Sequence, residues 1–332
     1  MERHDHYHEI AADTPRDMGR AMGRAFGEAL APFMKQLPEL PDATQAYLLD
    51  CIVFTREIFP DYAAEVAGYA EGAGVPEETM WHMLLEDDIK ALPAEKCTSF
   101  ATNKGRLVGH NEDWSVDASS RLFLLKRDLA GNTLFELHYA GTLGGNAASI
   151  NGHGLVQTVN SQDSWPIESD APRVPSNIIA RVLADSKNPQ ETLQKLDEIP
   201  RMGGYAFTLV NASQSLLAEL SQGEMTVREI TSFPHIHANH YVLEEMLSFN
   251  RHKEDGPTST RKRYAAAQNG AKETMTAQDA MTLLEDETGG PSCALKNERT
   301  IAGIVFDLDA STVHVRLAAE NDKGWIPYNL TP

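Results

Sequence analysis

Between residues 14 and 30 apolar side chains return at every fourth position, as Met18, Met22, Phe26 and Leu30. That spacing keeps them on one face of a helix, because 3.6 residues complete a turn. Thr14-Pro15 supplies the start, a hydroxyl to cap the first N–H groups and a proline where no donor is missed. Gly19, Gly23 and Gly27 repeat at the same spacing and allow another element to approach closely, a packing feature rather than a functional one. Further helical patterns cover Ala43–Ile58, Tyr62–Gly72 and Pro76–Lys90. Residues 1–96 therefore read as a helical N-terminal segment.

The pattern changes at Cys97. Thr98–Thr102 and Arg106–Asn111 form short β-prone runs around the turn Asn103-Lys104-Gly105. Arg121–Asp128 and Thr133–Tyr139 flank Ala130-Gly131-Asn132, and Ala147–Asn151 and Leu155–Asn160 flank Gly152-His153-Gly154. Helices are expected over Ser176–Asp185 and Pro189–Ile199, then strands over Tyr205–Val210, Leu216–Glu219 and Thr226–Ile230. Helical patterns follow over Tyr241–Ser248, Ser259–Asn269 and Ala277–Glu285, and a hairpin joins Thr300–Leu308 to Thr312–Ala318. Tandem hairpins require antiparallel pairing. Strands and helices alternate in blocks, which predicts an α+β layered architecture of antiparallel sheets, with 1–96 and 97–332 together forming one composite domain.

Composition narrows the function. The 332 residues, 42% hydrophobic and 23% charged, suffice for a full core. The formal net charge of −19 repels phosphate backbones and anionic membranes, so neither nucleic acid nor a lipid surface is an expected partner. No run approaches the ~18 apolar residues of a membrane span, and the opening segment is polar, so the expected location is cytoplasmic. Cys51, Cys97 and Cys293 are too few and scattered for a disulfide framework or metal knuckle, and no cofactor motif is present. His4, His6 and His8 read as a solvated tail.

The candidate chemistry gathers around Cys97, where helix gives way to strand. The hairpin that follows ends in Gly109-His110-Asn111-Glu112-Asp113-Trp114, a dense polar cluster that pairing brings back beside the cysteine. A solvated strand end is the plainer reading of the same cluster. A second constellation, His235, His237 and His240, has the spacing of a metal site but no carboxylate or cysteine to complete it.

Cys97-Thr98, followed some fifteen residues later by Gly109–Trp114, resembles the isopenicillin-N acyltransferase family of self-cleaving cysteine N-terminal-nucleophile enzymes, relatives of the choloylglycine hydrolases. Asn151-Gly152-His153-Gly154-Leu155 leading to Val159-Asn160, then His237-Ala238-Asn239-His240-Tyr241, Ser259-Thr260-Arg261, and the closing strand with Trp325 are similar to later elements of that family in the same order. Two positions depart from it. Lys96 precedes the cysteine where penicillin-forming relatives carry glycine, and Pro291-Ser292-Cys293-Ala294 lacks an adjacent arginine.

The resemblance implies a four-layer αββα sandwich and cleavage of the Lys96–Cys97 bond. It also implies an amide hydrolase or acyltransferase acting on a small-molecule amide, with fragment 1–96 retained as a partner and oligomeric state open. Cys97 is then the nucleophile and its α-amino group the proton shuttle. Asp113 holds that amine, Asn160 and Asn239 serve the oxyanion and the amine, and Arg261 raises the local potential. Two other readings stand beside this one: a metal-dependent amidohydrolase using His235, His237 and His240, and a non-catalytic binding protein on the same fold.

Overall fold

A computed structural model describes residues 2–330 except 36, 38, 86, 87, 89–96, 163–170 and 251–258. The N-terminal part holds strand β1 (Tyr7–Ala12) and helices α1 (Pro15–Met34), α2 (Asp42–Ile58), α3 (Pro60–Ala73) and α4 (Glu77–Leu84). Strands β2 (Cys97–Thr102), β3 (Leu107–Asp113), β4 (Leu122–Leu129), β5 (Asn132–Tyr139), β6 (Ala148–Asn151) and β7 (Val156–Ser161) follow. Next come α5 (Ser176–Ala184), α6 (Pro189–Asp197), β8 (Tyr205–Val210), β9 (Ser215–Leu220), β10 (Met225–Glu229) and β11 (His235–His237). Helices α7 (Ser259–Gly270) and α8 (Ala277–Leu284) precede the closing strands β12 (Thr300–Asp307), β13 (Thr312–Leu317) and β14 (Ile326–Asn329). Among the described residues no helix is long and apolar enough to cross a membrane.

These strands form two sheets, ordered β1-β4-β5-β6-β7-β8-β9-β10 and β11-β2-β3-β12-β13-β14. All pairings are antiparallel except β1 with β4. Alternation along each strand sends side chains to two different cores. In β4, Phe123 and Leu125 meet α1, α3 and α5, while Leu124 faces the second sheet. In β12, Ile304 and Phe306 fill the space between sheets, and Val305 packs with Phe100 under α7 and α8. The order is helices, sheet, sheet, helices: the expected αββα sandwich. Both faces of the central strands are covered, so β2, β3, β8 and β9 are buried at every position.

Thr14 caps α1, accepting a hydrogen bond from the Asp17 backbone N–H, and Met18, Met22, Phe26 and Leu30 are fully buried. The glycine spacing has its expected use. A Cβ on Gly19 or Gly23 would overlap the Glu65 or Tyr69 carbonyl of α3, and one on Gly68 or Gly72 would overlap the Arg16 or Arg20 carbonyl of α1. The two backbones thus touch along reciprocal glycines. Below them a buried ion network ties this layer to the sheet. Arg127 lies 3.0 Å from Glu65 and 3.7 Å from Glu136, and Arg181 lies 3.6 Å from Glu65 and 3.0 Å from Asp185.

Three expectations need correction. The N-terminal histidines are not a solvated tail. Residues 7–12 add a strand beside β4, His4 is buried against the Tyr328 hydroxyl, and His6 meets Glu320. Tyr241–Ser248 is not an α-helix; only a 3-10 turn forms, over Glu244–Phe249. The N–H groups of Val242 and Leu243 donate to the Glu219 carboxylate, and Tyr241 N–H donates to Asn250, which pulls the segment out of helical register. The helix predicted through Lys90 ends at Leu84, and residues 89–96 lie outside the described residues.

The glycine contact is testable by unfolding in guanidinium chloride. Gly23→Ala is expected to lose about 1–3 kcal/mol by overpacking. Gly223→Ala, whose Cβ would meet nothing within 4 Å, should shift stability by less than about 0.5 kcal/mol.

Candidate active site

Cys97 is the first residue of β2 and is 3% exposed. Its backbone N–H donates to Asn239 Oδ1 at 3.0 Å, and its carbonyl accepts from the Arg263 guanidinium at 2.6 Å. Arg263 also donates to Thr98 Oγ1 at 2.6 Å and to Asn239 Oδ1 at 2.7 Å, and stands 3.8 Å from Asp113. One buried cation therefore holds the Cys97 carbonyl and the side chain that receives its nitrogen.

Antiparallel register places Cys97 opposite Glu112 and Ser99 opposite His110. Because alternate residues of a strand share a face, these four lie together on the side that faces the second sheet. There a continuous hydrogen-bonded row forms. Tyr139 O–H meets Glu112 Oε1 at 2.9 Å, Glu112 Oε2 lies 2.8 Å from His110 Nε2, and His110 Nδ1 lies 2.9 Å from Ser99 Oγ. Ser99 O–H then donates to Asn160 Oδ1 at 2.9 Å. Asn160 is fully buried, and its Nδ2 has no hydrogen-bond partner among the described residues.

Four of the five predicted site residues converge. Asn160 and Asn239 take different parts: Asn239 offers its oxygen to the Cys97 nitrogen, while its Nδ2 is held by the Ser161 carbonyl at 2.8 Å. Asn160 is the one left with a donor to give. Asp113 is buried, with its oxygens bound by Thr300 at 2.6 Å and Asn297 at 3.1 Å, and its backbone N–H is directed at the Cys97 sulfur. The cation beside these groups is Arg263, not Arg261. Two residues advance a helix by about 200°, so when Arg263 faces the sheet Arg261 turns away from it.

The signal for Ser99, His110 and Glu112 was present in the sequence as two-residue alternation on paired strands. Reading the polar cluster as a whole, without its register, missed it. Their partner Tyr139 carries no local signal, since it comes from the opposing sheet.

The histidine constellation does not converge. The ring nitrogens of His237 are bound by the Ala238 carbonyl at 2.7 Å and Glu219 at 2.8 Å, and His240 Nδ1 meets Thr260 Oγ1 at 2.9 Å. Burial pushes both His235 and His240 down to about 3. His237 instead anchors the loop that carries Asn239.

Burial raises the Cys97 thiol well above its usual range, and Glu112 and Asp113 add to this, with Arg263 opposing. Burial and both carboxyl groups thus favour the protonated thiol. Burial likewise lifts Asp113 to about 6, with Arg263, Thr300 and Asn297 pulling it back.

Two expectations follow. Removing the cation in Arg263→Ala takes a buried donor from the Cys97 carbonyl, Thr98 and Asn239 together, and denaturant unfolding should show a loss of about 3 kcal/mol or more. Arg261→Ala should cost less than about 0.5 kcal/mol. The second concerns pH. A carboxyl that holds its proton more tightly folded than unfolded adds stability below about pH 4 and loses it as pH rises through about 6. On a Cys97→Ala background, the thermal midpoint measured from about pH 4 to about pH 7 should therefore fall further with Asp113 present than in the Asp113→Asn variant.

Residues 100–322 match the sequence model of the family described as acyl-coenzyme A:6-aminopenicillanic acid acyl-transferase. The chain is 24% identical over 303 residues to the beta-alanyl-dopamine/carcinine hydrolase of Drosophila melanogaster, covering 78% of this chain and 76% of that protein. Among solved structures, penicillin V acylase from Agrobacterium tumefaciens aligns with a TM-score of 0.41 at 14% identity, over 67% of this chain and 83% of that one. A variant of conjugated bile acid hydrolase from Clostridium perfringens aligns at 0.43 and 11%, over 71% and 92%. With the match spanning most of its length, this chain is an enzyme of the acyl-coenzyme A:6-aminopenicillanic acid acyl-transferase family of amide hydrolases and acyltransferases.

Proposed function

We propose that the chain cuts its own Lys96–Cys97 bond and then hydrolyses small acyl-amine amides through a thioester on Cys97. The observation that carries this reading is the double grip on the Cys97 backbone, its nitrogen on Asn239 and its carbonyl on Arg263. Any buried backbone N–H and C=O needs a partner, but here both partners are polar side chains from other elements, Asn239 from the loop after β11 and Arg263 from α7. Such a hold orients a nitrogen that is to become a working amine.

In the first reaction the Cys97 sulfur attacks the Lys96 carbonyl carbon while its proton passes to the Cys97 nitrogen. The carbon–nitrogen bond breaks, leaving a thioester and a free amine, and water then releases the Lys96 carboxylate and the thiol. Until that bond is cut the nitrogen is an amide and cannot act as a base. An α-amine titrates near 7.7–8.0, so it can take the thiol proton at neutral pH.

In the second reaction Cys97 attacks the amide carbonyl of the substrate and Asn160 Nδ2 donates to the developing oxyanion. The α-amine returns its proton to the leaving amine, and water completes hydrolysis. The fragments 1–96 and 97–332 stay joined, because β1 belongs to the sheet of the larger fragment and Glu65 is paired with Arg127 and Arg181. The beta-alanyl amides in the name of the Drosophila relative support an aminoacyl-amine as substrate, with water as the acceptor.

Intact mass under denaturing conditions tests the reading. The wild type should appear as two fragments divided between Lys96 and Cys97, with Cys97→Ala whole, and the split protein should release free amine from beta-alanyl-dopamine or carcinine. A wild type that stays whole would remove the amine-as-base mechanism. A split protein that is inert on both amides would remove the substrate assignment alone.

A further inference from the structure

An asparagine can serve an oxyanion only if its NH2 end faces the nucleophile; turned over, it presents an oxygen that repels the developing charge. The two ends of a carboxamide are nearly equal in shape, so packing alone does not choose between them. Hydrogen bonding must. At Asn160 the choice is made by Ser99, whose single hydroxyl proton goes to Oδ1 and leaves Nδ2 unpartnered.

Ser99 has a competing acceptor, His110 Nδ1 at 2.9 Å. Were that nitrogen bare, the Ser99 proton would turn to it, and the serine oxygen would then favour the NH2 end of Asn160. The row excludes this only when Nδ1 carries a proton and donates it to Ser99. On the other side of the ring, Nε2 and Glu112 Oε2 lie 2.8 Å apart, a distance two lone pairs do not share without a proton between them. Tyr139 completes the row, donating to the other carboxylate oxygen. From His110 Nδ1 onward the bonds then point the same way, through Ser99 to the carboxamide.

We infer that His110, Glu112 and Ser99 are positioning residues that hold Asn160 with its NH2 toward the reacting carbonyl, in self-cleavage and in amide hydrolysis alike. Three observations carry this: the unbroken row, the unpartnered Nδ2 at its end, and the placement of Cys97, His110 and Glu112 with side-chain atoms within 4.8 Å of one another. The inference rests on Cys97 being the nucleophile. It also gives Gly109–Trp114 a second use, because Asp113 serves the outer face of the strand while His110 and Glu112 serve the inner one.

Self-cleavage supplies an assay that needs no added substrate. Full-length wild type, Ser99→Ala, Asn160→Ala and the double variant are made by cell-free translation, and loss of the 332-residue chain is followed by denaturing electrophoresis. Ser99→Ala should slow cleavage by about tenfold or more, and Asn160→Ala by at least as much. The double variant should be no slower than Asn160→Ala alone, because a serine that acts only through the asparagine has nothing left to act on.

Ser99→Ala cleaving within about twofold of wild type, or effects that multiply in the double variant, would overturn the inference. A general loss of folding gives multiplied effects, so a structural role is not mistaken for positioning. Wild type that stays whole would instead overturn the self-cleavage reading on which this one rests.

Discussion

A cation sealed inside a protein is costly unless hydrogen bonds and a counter-charge meet it. Arg263 is such a cation, and the groups that meet it are the Cys97 carbonyl, Thr98, Asn239, Ser259 and, at 3.8 Å, Asp113. The site depends on this one constraint. It fixes the first residue of β2 at both ends of its backbone and brings the loop after β11 against the strand. It also gives Asp113 a charge to lean toward in a place where burial alone would keep it protonated. Helix α7, the start of β2 and the loop carrying Asn239 are linked by a single guanidinium, whose planar fork can reach several acceptors at once.

The same arrangement favours a neutral Cys97 thiol in the intact chain. Two neighbouring carboxyl groups and full burial favour the neutral form, and one arginine does not reverse this. Cutting the bond before Cys97 would add an ionisable amine at the spot where Asn239 already waits with an oxygen. A charge that did not exist in the intact chain then enters the field around the sulfur, and it comes with a proton acceptor. Activation by cleavage needs no movement of the scaffold on this view, only a change in what the Cys97 nitrogen is. The reciprocal glycines of α1 and α3, and the buried ion network beneath them, pack the helical layer against the sheet independently of the Cys97 peptide bond.

Much of the fold was legible because it rests on local periodicity. The four-residue apolar repeat of α1, its threonine cap and its glycines all have one structural reading, and Tyr205–Val210 could hardly be anything but a strand. What failed was whatever depended on distant partners. Nothing in Tyr241–Ser248 says that its N–H groups will be claimed by Glu219 from β9. Nothing in the polar opening segment says that it will add a strand beside β4, since an edge strand needs little hydrophobicity of its own. Cys97, Asp113, Asn160 and Asn239 could be named from the order of motifs, but not their division of labour, which is a matter of which atom of each amide faces which neighbour.

The exchange of Arg261 for Arg263 shows where sequence reasoning stops. Ser259-Thr260-Arg261-Lys262-Arg263 offers three cations within one helical turn, and all three suit a surface equally well. The helix decides by rotation, and the rotation is set by Thr260, whose hydroxyl receives the Asn239 N–H, together with Ala267, which is buried against the sheet. With 260 and 267 inward, 263 lies on the same face and 261 does not. A motif fixes the neighbourhood of a functional cation. Which residue supplies it is fixed by the phase of the helix against the core, and here that phase is set by a threonine and an alanine that take no part in the chemistry.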